Sequence, residues 1–380
     1  MDGDGPGCPG DGSASLYATH VPLAQEPGAR SDWPAPDPHR CPPADPAAEP
    51  DAFVVPMDTG ERIHYLDWGG PSGAPGGAPG VPRGLAALPD RRSQQDRAPQ
   101  RDHQALPPLV LLHGIGETAW VWTPIARRVR ALTRVLALDL RGHGLSAAPI
   151  GGYELPSLAM DVLTIMAANG WAPASDGQPV VLAGHGFGGV VAVAAAAERP
   201  AAVAGLALVD GGWEEMGRRA GDDPEQVVKA LAEPPEALES MATWLAERRA
   251  FDPATWDADQ ERAARAQVEQ TYAGHVVPLL RRHALLGTVT AMLSYEPDQL
   301  LPRIAVPLLV AVAGVSTPDD ETAPDRELEL TDALRLPQGP VRVVRYRSAG
   351  HNLMRYVPRE LTAELAGLLA VAGGSASADH

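Results

Sequence analysis

The stretch that most constrains the fold of this chain reads VVLAGHGFGGVVAVAAAA and covers residues 180–197. Its first four residues are apolar and include β-branched side chains, which is typical of a buried strand. A glycine-rich turn follows at 184–189, and the alanine-rich remainder favours a helix. This order of strand, turn and helix is the setting of the G-x-S-x-G motif, in which a strained turn lifts one side chain above a sheet. Gly184 and Gly188 match its glycines, whereas Gly186, which has no side chain, stands at the nucleophile position.

Charge and hydropathy limit the classes of partner. The chain has 380 residues and a net charge of −17, which argues against binding a nucleic-acid backbone. The opening residues MDGDGPGCPG lack the basic and apolar regions of a signal peptide. The one apolar stretch of membrane-spanning length is 180–197, which a buried strand, turn and helix explain better. We therefore expect a cytoplasmic protein with a small-molecule substrate or ligand, and with no nucleic-acid or membrane partner.

The two cysteines, Cys8 and Cys41, both lie near the N-terminus. The rest of the chain therefore has no thiol for a structural disulfide or a thiolate metal site. We predict no metal and no cofactor. The sequence leaves the oligomeric state open.

Glycine and proline, at 39 residues each, are too numerous for packed structure along the whole chain. They are abundant in residues 1–51 and 69–107, where apolar content is too low to offset the entropy of ordering. We predict a disordered tail over 1–51, a disordered insertion over 69–107 and a C-terminal tail over 373–380.

Between these segments, short apolar runs alternate with helical patterns, which predicts a mostly parallel sheet with helices on both faces. Strand signals stop after residue 210 and resume near 301, so 211–300 is predicted to be a helical lid, with helices at 258–272 and 277–293 among others. The core then comprises 52–210 and 301–372. The predicted strands are Phe53–Val55, Ile63–Trp68, Leu109–Leu112, Val135–Leu138, Val180–Ala183, Val203–Val209, Leu308–Ala313 and Val341–Val344.

Three loops that follow predicted strands carry groups suited to chemistry. The turn at His113–Gly116 can aim backbone N–H groups at a ligand oxygen, because two of its residues lack a β-carbon. The second loop is the turn around Gly186. The third is Ser348–Asn352, in which His351 can act as a general base, since the pKa of histidine lies near neutrality.

With Asp139–Ser146 (DLRGHGLS) and Pro307–Gly314 (PLLVAVAG), these motifs in this order resemble the α/β-hydrolase family over about residues 53–371. The resemblance implies a three-layer α/β-hydrolase fold. Its sheet would have eight mostly parallel strands, and a helical lid would be inserted after the sixth strand.

The resemblance also implies the roles of individual residues. The family's nucleophile is Ser, Asp or Cys, and two backbone N–H groups form its oxyanion hole, here those of Ile115 and Phe187. The base is His351. For the acid that orients this base we favour Asp319, with Asp210 as the alternative at the end of an earlier strand.

A substrate pocket is predicted at Gly114 and at two tryptophans of the lid, Trp213 and Trp244, which suit an apolar wall. Other polar residues fall at motif or helix positions where structural hydrogen bonds are the more common role. These residues are His113, His143, Ser146, His185 and His283.

The missing side chain at Gly186 leaves two interpretations, because no acyl-enzyme can form there. In the first, the protein is a hydrolase-like enzyme with a non-covalent mechanism that acts on a small apolar ester, amide or carbonyl compound. His351 would serve as base towards water or the substrate, so that hydrolysis, lyase chemistry or cyclisation is possible. In the alternative, the protein is a catalytically inactive pseudoenzyme that binds a small molecule or a protein. His351 beside a nearby acid favours the enzyme.

Overall fold

The computed structural model describes Trp33 and residues 41–71, 106–171, 177–217, 223–314 and 323–374, with the side chains of 323–326 left aside. Eight strands form one sheet. Two neighbouring pairs at one edge of the sheet are antiparallel, and the other neighbours are parallel. The prediction of an eight-stranded, mostly parallel sheet is confirmed.

The strands of this sheet are short. Their bounds are Asp51–Pro56 (β1), Arg62–Asp67 (β2), Leu109–Leu112 (β3), Val135–Leu138 (β4), Val180–His185 (β5), Val203–Val209 (β6), Leu308–Ala313 (β9) and Val341–Tyr346 (β10). Their order in the sheet is β1-β2-β4-β3-β5-β6-β9-β10, and the antiparallel pairs are β1–β2 and β2–β4. A separate antiparallel hairpin consists of Val268–Gln270 (β7) and Val276–Pro278 (β8).

The α-helices of the core are Thr123–Val129 (α1), Leu155–Ala168 (α2), Phe187–Glu198 (α3), Ala323–Ala333 (α9), Leu353–Tyr356 (α10) and Pro358–Gly374 (α11). Between β6 and β9 the chain forms Pro224–Ala230 (α4), Met241–Phe251 (α5), Ala258–Arg265 (α6), Arg282–Leu293 (α7) and Pro297–Leu300 (α8). Single 3₁₀ turns occur at Ala119–Trp122, Pro200–Ala202, Pro235–Leu238, Pro253–Thr255 and Leu301–Arg303.

The central strands are apolar at every position because both faces of the sheet are covered. In β3, Val110 and Leu112 face one hydrophobic cluster, which also contains residues of α2 and α3. Leu109 and Leu111 face a second cluster, which contains residues of α1 and α11. Successive side chains of a strand point to opposite faces, so each strand contributes to both layers of the core. This is the three-layer arrangement that the alternation of strands and helices predicts.

The segment between β6 and β9, here called the insertion, is mainly helical, but one part of it differs from the prediction. Helices were expected over 258–272 and 277–293, whereas the structure has the hairpin β7–β8 between α6 and α7. The hairpin contains the β-branched Val268 and Val276, which are buried against Trp244 in a small cluster of the insertion. Burial of these side chains on a pleated surface outweighs the helical spacing.

The segment before β1 contacts the core ahead of the predicted boundary at residue 51. Arg127 of α1 pairs with Glu49 at 2.9 Å, and Arg130 pairs with Asp45 at 3.0 Å. Trp33 is buried in the hydrophobic cluster that contains α1. The rest of the two predicted tails and of the predicted disordered segment 69–107 lies outside the described residues. These ranges are 1–32, 34–40, 72–105 and 375–380.

In the part of the chain that the structure describes, no helix has both the length and the apolar character needed to cross a lipid bilayer.

The close approach of α3 to the end of β3 generates a prediction about stability. A β-carbon on Gly188 would lie less than 3.0 Å from the carbonyl oxygens of Leu112 and His113. Gly188→Ala is therefore expected to lower the free energy of unfolding by about 3 kcal/mol, as overpacking in a rigid core does. The matched control is Gly151→Ala, because nothing lies within 4 Å of its added β-carbon. Denaturant unfolding of both variants is the measurement, and equal stabilities would contradict the tight approach.

Candidate active site

Gly186 forms the sharp turn between β5 and α3, with φ 53° and ψ −119°. Its N–H donates to the carbonyl oxygen of Val209 at the end of β6, at 3.0 Å. A β-carbon on Gly186 would lie 3.4 Å from Nε2 of His351 and 3.8 Å from the α-carbon of Gly114, which are ordinary contact distances. The space above Gly186 therefore admits a β-carbon and adjoins the His351 ring.

His351, in the loop between β10 and α10, pairs with Asp210 at the end of β6. Its Nδ1 lies 2.6 Å from Oδ2 of Asp210, whose side chain is only 1% exposed, whereas the His351 side chain is 63% exposed. The carboxylate can only accept, so Nδ1 carries the proton and Nε2 of neutral His351 is left as an acceptor. A histidine held in this way has the geometry of a general base.

Asp210 is also notable for its backbone. Among the described residues it is the one non-glycine residue with positive φ, at 48°. Its second carboxylate oxygen, Oδ1, accepts from the N–H of Ala313 in β9 at 2.9 Å. Strained backbone of this kind concentrates at functional sites. Of the two acids considered from the sequence, Asp210 contacts His351, and Asp319 lies outside the described residues.

The backbone N–H groups of Ile115 and Phe187 belong to the two turns that flank Gly186. Ile115 follows Gly114 in the turn after β3, and Phe187 is the first residue of α3. Within the described part of the chain, neither N–H donates a hydrogen bond to a protein group. Both are thus available to a ligand oxygen, and Phe187 also offers the positive end of a helix dipole.

Glu117, which the sequence analysis did not single out, lies at the centre of a hydrogen-bond network beside this site. Its Oε2 accepts from Nδ1 of His185 at 2.9 Å and from the N–H of Gly114 at 3.0 Å. Its Oε1 accepts from Nδ2 of Asn352 at 2.7 Å. The carboxylate therefore joins the turn after β3, the end of β5 and the loop that carries His351.

The electrostatics of this network favour two charges. Burial alone would raise the pKa of Glu117, but the neighbouring His185 and the Gly114 N–H bring it to about 2. Burial alone would likewise lower the pKa of His185, but the Glu117 carboxylate outweighs burial and raises this pKa above its ordinary value. The other ring nitrogen of His185, Nε2, lies 3.1 Å from the carbonyl oxygen of His351. The two histidine rings are 4.4 Å apart, centre to centre.

A cavity of about 940 Å³ lies between the turn after β3 and the insertion. Its wall includes Ile115, Gly116, Glu117, Val228, Trp244 and Leu280. The predicted pocket residue Trp244 therefore borders the cavity, and Gly114 precedes its wall in the turn. Trp213 is buried in the core cluster that contains α2 and α3, and it is not part of this wall.

Charged side chains of the insertion also line the cavity, and several of them are paired. Arg248 lies over the ring of Trp244, 3.9 Å from its centre, and pairs with Glu233. Arg282 pairs with Glu225. The cavity thus combines apolar surface near Ile115 with polar groups on the side of the insertion.

Three other polar residues for which the sequence predicts a structural role, His113, Ser146 and His283, form hydrogen bonds with the backbone. His113 accepts from the N–H of Leu140 at 3.0 Å and lies 2.8 Å from the carbonyl oxygen of Gly114. Ser146 donates to the carbonyl oxygen of Asp139 at 2.6 Å. His283 of α7 lies 3.0 Å from the carbonyl oxygen of Ala148, which joins the insertion to the core.

Within the described ranges, no group of three or more His, Cys, Asp or Glu side chains is arranged to hold a metal ion.

Comparison with known proteins identifies relatives of the chain. A sequence profile of the alpha/beta hydrolase family matches residues 109–365. RutD of Variovorax paradoxus, a protein named for carbamate hydrolase activity, is 29% identical over 209 residues, which are 54% of this chain and 72% of that protein. Human epoxide hydrolase 4 is 38% identical over 88 residues, 23% of each chain. The crystal structure of E-2-(acetamidomethylene)succinate hydrolase superposes with a TM-score of 0.58 at 20% identity, covering 85% of this chain and 100% of the other.

His143 allows a test of the structural interpretation of the buried histidines. It is 1% exposed, and burial followed by repulsion from His113 lowers its pKa to about 3. The folded protein thus binds fewer protons there than the unfolded chain does between pH 3 and 6.5. Stability from this neutral ring is present above the unfolded pKa and is lost as the pH falls. The wild type should lose stability when the pH falls from 7 to 5. In His143→Gln this loss of unfolding free energy is expected to be smaller by about 2 kcal/mol.

The measurement is denaturant unfolding of the wild type and variant at both pH values. His275→Gln, at an exposed histidine, is the matched control and should keep the wild-type pH dependence. A His143→Gln variant with an unaltered difference between the two pH values would show that His143 is not held neutral by burial.

Proposed function

Because the chain belongs to the alpha/beta hydrolase family, we propose that it is a hydrolase-like enzyme whose reaction proceeds without a covalent intermediate. In this proposal His351 is the general base and Asp210 orients it. The N–H groups of Ile115 and Phe187 stabilise an oxyanion, and Gly186 takes the position at which the family carries its nucleophile.

The observation that carries the proposal is the position of His351 Nε2. It lies 3.4 Å from where a β-carbon on Gly186 would be, and the opposite nitrogen of the ring is held 2.6 Å from Asp210. A water above Gly186 would therefore be within reach of an acceptor nitrogen. The base and the oxyanion donors would then meet at a single point, which is what general-base catalysis at a carbonyl group requires.

The proposed reaction is a direct attack by water. His351 Nε2 removes a proton from the water as the water oxygen bonds to the substrate's carbonyl carbon. The carbonyl oxygen becomes an oxyanion that accepts from the N–H groups of Ile115 and Phe187. When the bond to the leaving group breaks, His351 returns its proton to that group, and no atom of the protein becomes acylated.

The cavity and the relatives support a small ester, amide or carbonyl substrate. Ile115, whose N–H is one of the two proposed oxyanion donors, lies in the cavity wall together with the apolar side chains of Val228 and Leu280. The name of the relative from Variovorax paradoxus refers to a carbamate, whose carbonyl group suits the same chemistry. The insertion forms the other side of the cavity, and its action as a lid, a small-molecule partner and a cytoplasmic location all remain part of this proposal.

The alternative is a pseudoenzyme that binds a small molecule or a protein. Two features support catalysis instead. Binding alone does not require the hydrogen bond between His351 and Asp210, and it gives no reason for positive φ at Asp210. The same base could also take a proton from the substrate itself. Lyase or cyclisation chemistry would then differ from hydrolysis in the group that gives its proton to His351 Nε2, which is the substrate instead of water.

Gly186→Ser tests whether the catalytic arrangement is complete apart from a nucleophile. The added side chain has room beside His351, and the oxyanion donors are backbone groups that the change leaves in place. Each such donor is typically worth about 3 kcal/mol of transition-state stabilisation. We expect Gly186→Ser to hydrolyse a chromogenic acetate ester with an initial burst of product, which signals an acyl-enzyme.

Four further proteins make the result decisive: Gly186→Ser/His351→Ala, Gly151→Ser, the wild type and His351→Ala. Gly186→Ser/His351→Ala should lose about 10²-fold or more of the gained rate, because the general base is absent. Gly151→Ser adds the same hydroxyl at an open site and should gain nothing. Wild-type turnover that depends on His351 and shows no burst would support attack by water. A folded Gly186→Ser protein without activity would favour the pseudoenzyme.

A further inference from the structure

We propose that Glu117 is a positioning residue: its carboxylate and a doubly protonated His185 form an ion pair that holds His351 in place. The ion pair is a statement about the folded protein. Its contribution to catalysis rests on the function proposed above.

The charge of His185 follows from its hydrogen-bond partners. Nδ1 faces Oε2 of Glu117 and Nε2 faces the carbonyl oxygen of His351. A carbonyl oxygen can only accept, and the Glu117 carboxylate already accepts from Gly114 and Asn352. Both ring nitrogens must therefore donate, and a histidine that donates from both nitrogens is an imidazolium cation.

Four ionisable groups face His185, and the negative charges among them favour the protonated ring. Glu117 lies on the turn after β3, and Asp210, at the end of β6, adds a second negative charge that favours the cation. His113, at the end of β3, interacts with His185 electrostatically, and burial keeps the pKa of His113 below its ordinary value, so that it is neutral near pH 7. The ring of His351 is the fourth group, tilted at 44° to His185.

The ion pair fixes the loop that carries His351 at two adjacent points. The His351 carbonyl oxygen accepts from His185, and the neighbouring Asn352 side chain donates to Glu117. This anchoring matters because the His351 ring itself is largely exposed and touches Asp210 through one nitrogen. Side chains that carry out chemistry need partners that lock their orientation, and small displacements of a base are costly in rate.

The same carboxylate reaches the proposed oxyanion turn. It accepts from the Gly114 N–H, and a β-carbon on Gly114 would lie 3.0 Å from Nδ1 of His185 and 3.1 Å from Oε2 of Glu117. The ion pair therefore packs directly against the backbone that precedes Ile115. This one ion pair thus connects the loop that carries His351 to the turn whose Ile115 N–H would receive the oxyanion.

The ion pair is tested by ¹⁵N NMR of the histidine rings in the full chain, near pH 7.5. In the wild type, both ring nitrogens of His185 should carry protons. Neutral His351 should carry its proton on Nδ1. Glu117→Gln, which keeps the size of the side chain and removes its charge, should leave His185 with one ring proton. It should also mix the two tautomers of His351, because the loop is no longer held.

Glu198→Gln is the matched control, since Glu198 is exposed at the end of α3, and it should reproduce the wild-type spectrum. A wild-type His185 with a single ring proton would overturn the proposal without any variant. So would a Glu117→Gln protein in which both histidines keep their wild-type signals.

The catalytic part is tested in whichever protein turns over the acetate ester, the wild type or Gly186→Ser. Glu117→Gln should lower kcat by about 10²-fold, as displacement of a catalytic group does, and change KM little. An unchanged kcat would refute the positioning role even with the ion pair present. If neither protein shows activity, the proposed function fails, and the NMR result alone decides whether Glu117 and His185 hold the loop.

Discussion

The whole site depends on how closely the backbone of α3 approaches the ends of its neighbouring strands. The first turn of the helix lies against the carbonyl groups that end β3, and a β-carbon at Gly184, Gly188 or Gly189 would come within 3.0 Å of backbone atoms. This contact fixes the ends of β3, β5 and β6 relative to one another. Because those ends carry Gly114, His185 and Asp210, the close packing of backbone against backbone places these three residues near one another.

Gly186 differs from the other glycines of this turn. Nothing in its surroundings excludes a β-carbon, and the nearest atom would be at an ordinary contact distance, so packing does not explain why the side chain is absent. Its positive φ is a conformation that glycine adopts at no steric cost, so glycine relieves the strain that a nucleophile in this turn would carry. The absence of a side chain at Gly186 is therefore compatible with the surrounding arrangement of Gly114 and His351.

Most of the fold was predictable from the sequence because each strand of the sheet is a short apolar run bounded by turn residues. The hairpin β7–β8 was not predictable, because a short run with β-branched residues is compatible with either a helix or a strand. Burial of its side chains in the folded chain favours the strand. At the candidate site, motifs mark Gly186 and His351, and the structure brings these two residues into contact distance, whereas their roles stay a prediction. The choice between Asp210 and Asp319 depended on which strand end faces the histidine, and this is a property of the folded sheet.

Glu117 had no usable signal in the sequence. A single glutamate after a glycine-rich turn is typical of a solvated side chain. In the folded chain it accepts from Gly114 of its own turn and from two side chains of distant segments, His185 and Asn352. His185 could be identified from its place in the motif. Its charge could not be predicted from the sequence, because the protonation of the ring depends on the groups that face its two nitrogens.

The site thus contains two carboxylate–histidine pairs whose rings lie side by side, and their difference explains how one residue type can serve two purposes. In the Glu117–His185 pair, both ring nitrogens face hydrogen-bond acceptors. Each ring proton is therefore held in a hydrogen bond, and its release would leave an acceptor without a donor. In the Asp210–His351 pair, one nitrogen is held and the other faces the open space above Gly186. A carboxylate orients the ring in each case. The partner of the second nitrogen determines which ring is a fixed support and which is free to exchange a proton with a ligand.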